Sequence, residues 1–235
     1  MSSALSEIEA MKSKRIPQLP FQIWSDQWKE ARKQTTTVER VLTLLTQMPT
    51  QQWERPQLVD ILGFRKNTKE DKGEQRIERQ LLGPKGCPRT HIIQIRGKCC
   101  QLDALRHNAA LSRHKSGQVI VDVLGKVLIS GKWHPLAIEI KKTQGNCWSA
   151  VVQNIQQVRM LRHQSKASKK HFDAKGGVWG MVLAPKKYFE KNPAAVQKSI
   201  ELLHRLKKTE LRIALCYSDA LADGKIECFH SNWSV

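Results

Sequence analysis

Apolar positions are sparse and irregular over residues 1–35, where Ile23, Trp24 and Trp28 mark one short helix that docks on something larger. Thr36-Thr37 then cap a helix running to about Met48, with Val38, Val41, Leu42, Leu44 and Leu45 as its apolar stripe. Pro56 suits the first turn of a second helix, ending near Gly63. A basic connector, Arg65-Lys66-Asn67-Thr68-Lys69, leads to a third predicted helix from about Asp71 to Leu82. That helix keeps Ile77, Leu81 and Leu82 for packing and shows Lys72, Gln75, Arg76, Arg79 and Gln80. A hairpin follows: His91 to Ile95, a turn at Arg96-Gly97-Lys98, then Cys99 to Leu102.

From residue 104 the pattern is α/β. A short helix is expected over Ala104 to Arg113. Two β-branched apolar runs come next, Val119 to Leu124 and Leu136 to Lys141, separated by the turn-rich Ser130-Gly131-Lys132-Trp133-His134-Pro135. Then come a helix from about Ser149 to His163, a strand Val178 to Leu183, a helix from Pro193 to about Lys207, and strands Leu211 to Tyr217 and Lys225 to His230. Strand, helix, strand, helix, strand implies parallel pairing through right-handed crossovers. The chain thus divides into an arm (1–35), a small helical domain (36–103) and an α/β domain (104–235).

Charge changes this picture. Each of the two apolar runs contains one acid, Asp122 and Glu139, and these are the only acids between Ala104 and Phe172, a span with twelve Lys and Arg. Burying an unpaired carboxylate is costly, and a divalent cation would supply the counter-charge. Side chains alternate across a strand, so Glu139 and Lys141 share a face with Ala137, and Asp122 shares one with Ile120 and Leu124. A hairpin through residues 130–135 would set two carboxylates and an ammonium at one point, and hard oxygen ligands of this kind suit Mg²⁺, with Mn²⁺ able to substitute. Net charge is +19. Residues 1–103 carry 18 bases and 12 acids, residues 104–235 carry 22 and 9, so the excess concentrates around the two acids. A nucleic acid is the natural partner.

The six cysteines form no CxxC pair, and no apolar run approaches the ~20 residues of a membrane span. No apolar signal region is visible at the N-terminus, so the thiols are expected to be reduced and the protein intracellular, in cytoplasm or nucleoid.

Three helices followed by a basic-tipped hairpin resemble a winged helix-turn-helix, in which the third helix enters the major groove and the wing touches backbone. That resemblance implies DNA contacts by Lys72, Arg76, Arg79, Arg96 and Lys98. Asp122, sixteen intervening residues, then Glu139-Ile140-Lys141 resembles the PD-(D/E)XK nuclease superfamily over roughly residues 104–217. It implies a mixed sheet of restriction-endonuclease-like type, preceded here by the winged-helix-like domain. Asp122 matches the motif aspartate, Glu139 the second acid and Lys141 the lysine. Gln153 and Gln157 match polar positions on the following helix, with Val151, Ile155 and Val158 facing the sheet. Val121 stands where the signature proline would be, and residues 104–113 lack the Glu many members carry, leaving Asp103 or Glu78 as substitutes.

The resemblance implies an Mg²⁺ held by Asp122, Glu139 and the carbonyl of Ile140, with Lys141 orienting water or stabilising negative charge and Gln153 and Gln157 fixing the water or Lys141. The product ends would be 5′-phosphate and 3′-hydroxyl. Arg159, Arg162, Lys166, Lys169, Lys170 and Lys175 would grip phosphates. The function so implied is a Mg²⁺-dependent DNA endonuclease in defence, restriction, recombination or transposition, acting as a homodimer or with a partner subunit such as a helicase or transposase. Alternatives are a non-catalytic DNA-binding protein on a decayed nuclease fold, or an RNA-processing protein. More plainly, Glu139 and Lys141 could be a surface ion pair, Asp122 a turn-proximal acid, the glutamines solvated helix positions, and Trp133 and Trp148 packing residues.

Overall fold

The computed structural model describes residues 19–49, 74–82, 89–114, 117–165, 177–207, 209–219 and 224–233. Two short turns organise the first half of the sheet. Arg96-Gly97 joins β1 (Thr90–Ile95) to β2 (Lys98–His114), and Ser130-Gly131 joins β3 (Gly117–Ile129) to β4 (Lys132–Ile140). Both residues of each turn have positive φ, 49° and 79° in the first, 49° and 75° in the second. Such two-residue loops match the right-handed twist of antiparallel strands, and glycine takes the second position without strain. The β3–β4 turn is therefore shorter than the 130–135 stretch, and β4 already includes Trp133, His134 and Pro135.

Beyond β4 the chain alternates helices and strands: α4 (Cys147–Ser165), β5 (Val178–Ala184), α5 (Lys186–Glu190), α6 (Pro193–Leu206), β6 (Leu211–Tyr217) and β7 (Lys225–Ser231). β4, β5 and β6 pair parallel, as the alternation implies. β7 pairs antiparallel with β6 and parallel with β1, and this last ladder closes all seven strands into a barrel.

The core has two layers. Inside the barrel lie Ile93, Ile95, Leu102, Val123, Val127, Leu136, Ile138, Ile140, Met181, Leu183, Ala214 and Ile226. Outside, Val121, Leu124, Ala137, Val182, Ile213 and Leu215 are covered by helices. β5 is buried at every residue and β4 over its last seven, which is why both read as continuous apolar runs rather than alternating ones.

The N-terminal helices α1 (Phe21–Ala31) and α2 (Val38–Thr46) belong to the outer layer. Trp24 and Trp28 stack with ring centroids 5.2 Å apart, and the Trp24 indole donates to the Leu44 carbonyl over 2.8 Å. Trp148 on α4 is fully buried and donates to the Ala31 carbonyl over 2.9 Å. The expected docking helix is thus α1, and its platform is α4 with α6. The third predicted helix is α3 (Glu74–Leu82), which buries Leu81 and Leu82 in the barrel interior and exposes Arg76 and Arg79. His91 and Arg89 tie its C-terminus to β1 through the carbonyls of Leu81, Gln80 and Leu82.

Two expectations are overturned. The fold is a closed seven-stranded mixed barrel, not an open restriction-endonuclease-like sheet preceded by a helical winged-helix domain. The supposed wing, β1 with the start of β2, supplies staves of the barrel, because β7 returns to pair with β1. Residues 104–113 are strand, not helix: β2 runs seventeen residues and pairs with β3 through two bulges, between Ala104 and Arg106 and between Ala110 and Ser112. Alanine, leucine and arginine favour helix locally, but a full ladder to β3 outweighs propensities of a few tenths of a kcal/mol per residue. The predicted second helix, 56–63, lies outside the described residues.

Candidate active site

The β3–β4 ladder pairs Val123 with Ile138 and Leu124 with Ala137. The ladder stops one residue short of Asp122 on β3 and of Glu139 on β4. Here the amide of Ile140 donates to Asp122 Oδ2 over 2.7 Å. The amide and carbonyl of one strand residue point to the same neighbour, so the Ile140 carbonyl is on the Asp122 side of β4. The next amide, Lys141, turns the other way to the Leu183 carbonyl on β5.

Glu139 has no solvent exposure. Its Oε2 accepts from Gln157 Nε2 over 2.5 Å, and Lys141 Nζ lies 2.5 Å from its Oε1. The buried carboxylate thus meets a cation at one oxygen and a neutral amide at the other. Gln157 also donates to the Ile120 carbonyl over 2.9 Å, and its own oxygen accepts from Asn154, which reaches the Ala137 carbonyl. α4 can press this close because Gly180 on β5 lies beneath it. A Cβ there would collide with Asn154 Oδ1 and come within 2.5 Å of Val158 Cγ2.

Burial dominates the electrostatics of the two acids. Burial raises the pKa of Asp122, the Glu139 carboxylate raises it further, and together they push it up to about 8 against Lys141 and the Ile140 amide. Burial also raises Glu139, opposed first by Lys141 and then by Gln157 and Arg32. Glu78 on α3 adds to the upward pressure on Asp122, which places a third acid near the pair. Such carboxylates hold a proton or a metal cation. The fit to Mg²⁺ rests on the chemistry of the donor set, two carboxylates beside a backbone carbonyl, all hard oxygen ligands. Among the described residues no group of three or more His, Cys, Asp or Glu is gathered as a ready metal cage.

The structure brings Asp122, Glu139, Ile140, Lys141 and Gln157 together. Gln153 instead accepts from the guanidinium of Arg32, whose Nε also reaches Ser149 Oγ at 3.4 Å. Arg32, at the end of α1, is a functional candidate that sequence reasoning missed, since its partners on α4 are far away in sequence. Glu78 was weighed there only as a remote substitute, and α3 brings it near.

Of the expected phosphate contacts, Arg76 and Arg79 are exposed on α3, close to Glu78. Arg96 and Lys98 are exposed at the opposite end of the barrel, level with the β3–β4 turn. From Lys132 at that turn to Glu139 is seven residues of β4, roughly 23 Å at the rise of an extended strand. They do not flank the acids. Arg162 is ion-paired with Glu210, and Arg159 is partly buried beside it, its pKa lowered by burial and then by Arg162. Lys72, Lys166, Lys169, Lys170 and Lys175 lie outside the described residues. No helix among the described residues is long and apolar enough to cross a membrane.

Compared with known protein families, curated proteins and solved structures, the chain matches none.

Proposed function

We propose that the chain is a Mg²⁺-dependent DNA endonuclease. The observation that carries this reading is the convergence of two carboxylates, Asp122 and Glu139, with Lys141 at one end of the β3–β4 hairpin of a strongly basic protein. The likeness to PD-(D/E)XK nucleases is one of motif residues, not of fold.

Asp122, Glu139 and the Ile140 carbonyl would hold the cation. A divalent ion held there would supply Lewis-acid polarisation of a phosphate oxygen and a lowered pKa for water. Gln157 keeps Glu139 in its rotamer by holding Oε2. Lys141, with 20% of its side chain exposed, uses one side of its ammonium on Glu139. Lys141 would orient the attacking water or stabilise the phosphate oxygen that gains charge. As water attacks, the bond from phosphorus to the 3′ oxygen breaks, leaving a 5′-phosphate and a protonated 3′-hydroxyl. Double-strand cleavage needs two such sites, hence a homodimer or a partner subunit.

A second reading has its own observation: Lys141 and Gln157 already engage both oxygens of Glu139, which suits a non-catalytic DNA-binding scaffold. Plasmid nicking and linearisation with Mg²⁺ or Mn²⁺ separates the two. Metal-dependent cutting that disappears in Lys141→Ala supports the nuclease. No cutting by the wild type, with salt-sensitive DNA binding intact, supports the scaffold.

A further inference from the structure

Arg32 ends α1 with its guanidinium against α4. Its partners there, Ser149 and Gln153, are both neutral, and Gln153 lies one helical turn from Gln157, the residue that holds Glu139. No carboxylate pairs with Arg32 among the described residues, yet it is close enough to Glu139 to favour that acid's charged form. The position is held firmly. Trp148 donates to the Ala31 carbonyl, Lys198 donates to the Gln34 carbonyl, and Trp24 and Trp28 are buried beneath. A half-buried guanidinium with neutral partners and donors to spare, fixed one helical turn from the residue that holds Glu139, is a group built for a second anion.

We propose that Arg32 contacts a backbone phosphate next to the one cleaved, so that the N-terminal helical segment supplies part of the nucleic-acid grip. This rests on the nuclease reading above. The Trp148 bond to Ala31 fixes the end of α1 that carries the guanidinium, and Lys141 and Arg32 are the two cations that favour the charged form of Glu139. The polar stripe Ser149, Gln153 and Gln157, spaced by four along α4, joins the grip to the acids.

The test is the salt dependence of binding to a fluorescein-labelled DNA duplex in EDTA, using the full chain. One lost phosphate contact lowers the slope of log affinity against log salt by about 0.9. Arg32→Gln is expected to show that loss. Gln153→Ala removes the same link between α1 and α4 but leaves the guanidinium charge, and is expected to keep the wild-type slope. A purely structural Arg32 would make the two variants alike. Equal slopes in all three proteins, or equal losses in both variants, overturn the proposal. If Arg32→Gln does not fold, Arg32→Lys stands in: retained slope with weaker affinity agrees with a guanidinium fork on phosphate, and unchanged affinity overturns it. A wild type that binds and cuts while Arg32→Gln keeps its slope sinks Arg32 alone. A wild type without salt-dependent binding sinks the nuclease reading and this proposal together.

Discussion

Gln157 Nε2 donates to Glu139 Oε2 over 2.5 Å and to the Ile120 carbonyl over 2.9 Å. One buried amide therefore ties the acid of β4 to the backbone of β3, two residues before Asp122. The spacing between the carboxylates depends on α4 as much as on the hairpin.

Gln157→Ala should thus lower metal affinity and cutting by roughly 10- to 100-fold, the usual cost of losing a residue that orients a metal ligand. Gln153→Ala, whose side chain meets Arg32 instead of the acids, should change Mg²⁺ affinity far less. Calorimetric titration with Mg²⁺ compares the two, and equal losses would show that the two glutamines are not functionally distinct.

Asp122→Ala should abolish cutting and leave DNA affinity unchanged or higher, because it removes a cation ligand and a negative charge but no phosphate contact. Wild-type cutting rates in this variant would remove Asp122 from the site.

The pH dependence has a defined sign. With its pKa raised to about 8 by burial and by Glu139, Asp122 keeps a proton in the folded chain that the unfolded chain releases from a carboxyl near 3.8. Stability from this source is complete below the unfolded value and is lost as pH rises through about 8. In EDTA, the Tm of Asp122→Asn relative to wild type should therefore rise between about pH 5 and pH 9. Mg²⁺ replaces the proton, so it should stabilise the wild type more at the alkaline end and the variant little at any pH. A Tm difference that stays flat with pH would contradict the shift.

Gly180→Ala forces a methyl into Asn154 and Val158. It should destabilise the fold by about 1–3 kcal/mol, the usual cost of overpacking a tight core, and weaken Mg²⁺ binding by shifting Asn154 and Gln157. Urea unfolding measures the first effect. Unchanged stability would mean that α4 has room to move off β5.

Much of the local structure was readable because its causes are local. β6 occupies Leu211–Tyr217 as its apolar run predicts, α2 begins at the cap Thr37, and α6 begins at Pro193. The two acids stood out because each interrupts an apolar run, and alternation placed each on a face with its neighbours. The helix expected over 104–113 failed for the opposite reason: its composition favours helix, and only the ladder to β3 makes it strand.

Neighbouring positions along the chain were enough to mark the apolar runs that become β3 to β6, the two acids that β3 and β4 carry, and the strong positive charge, since burial period, residue type and charge are local properties. Tertiary structure decided the rest. Barrel closure depends on β7 meeting β1, the distance between Glu78 and Asp122 on how α3 caps the barrel, and the setting of Arg32 on partners 117 and 121 residues away. Contacts at such separations leave no period in the chain, because they exist only once distant elements have packed.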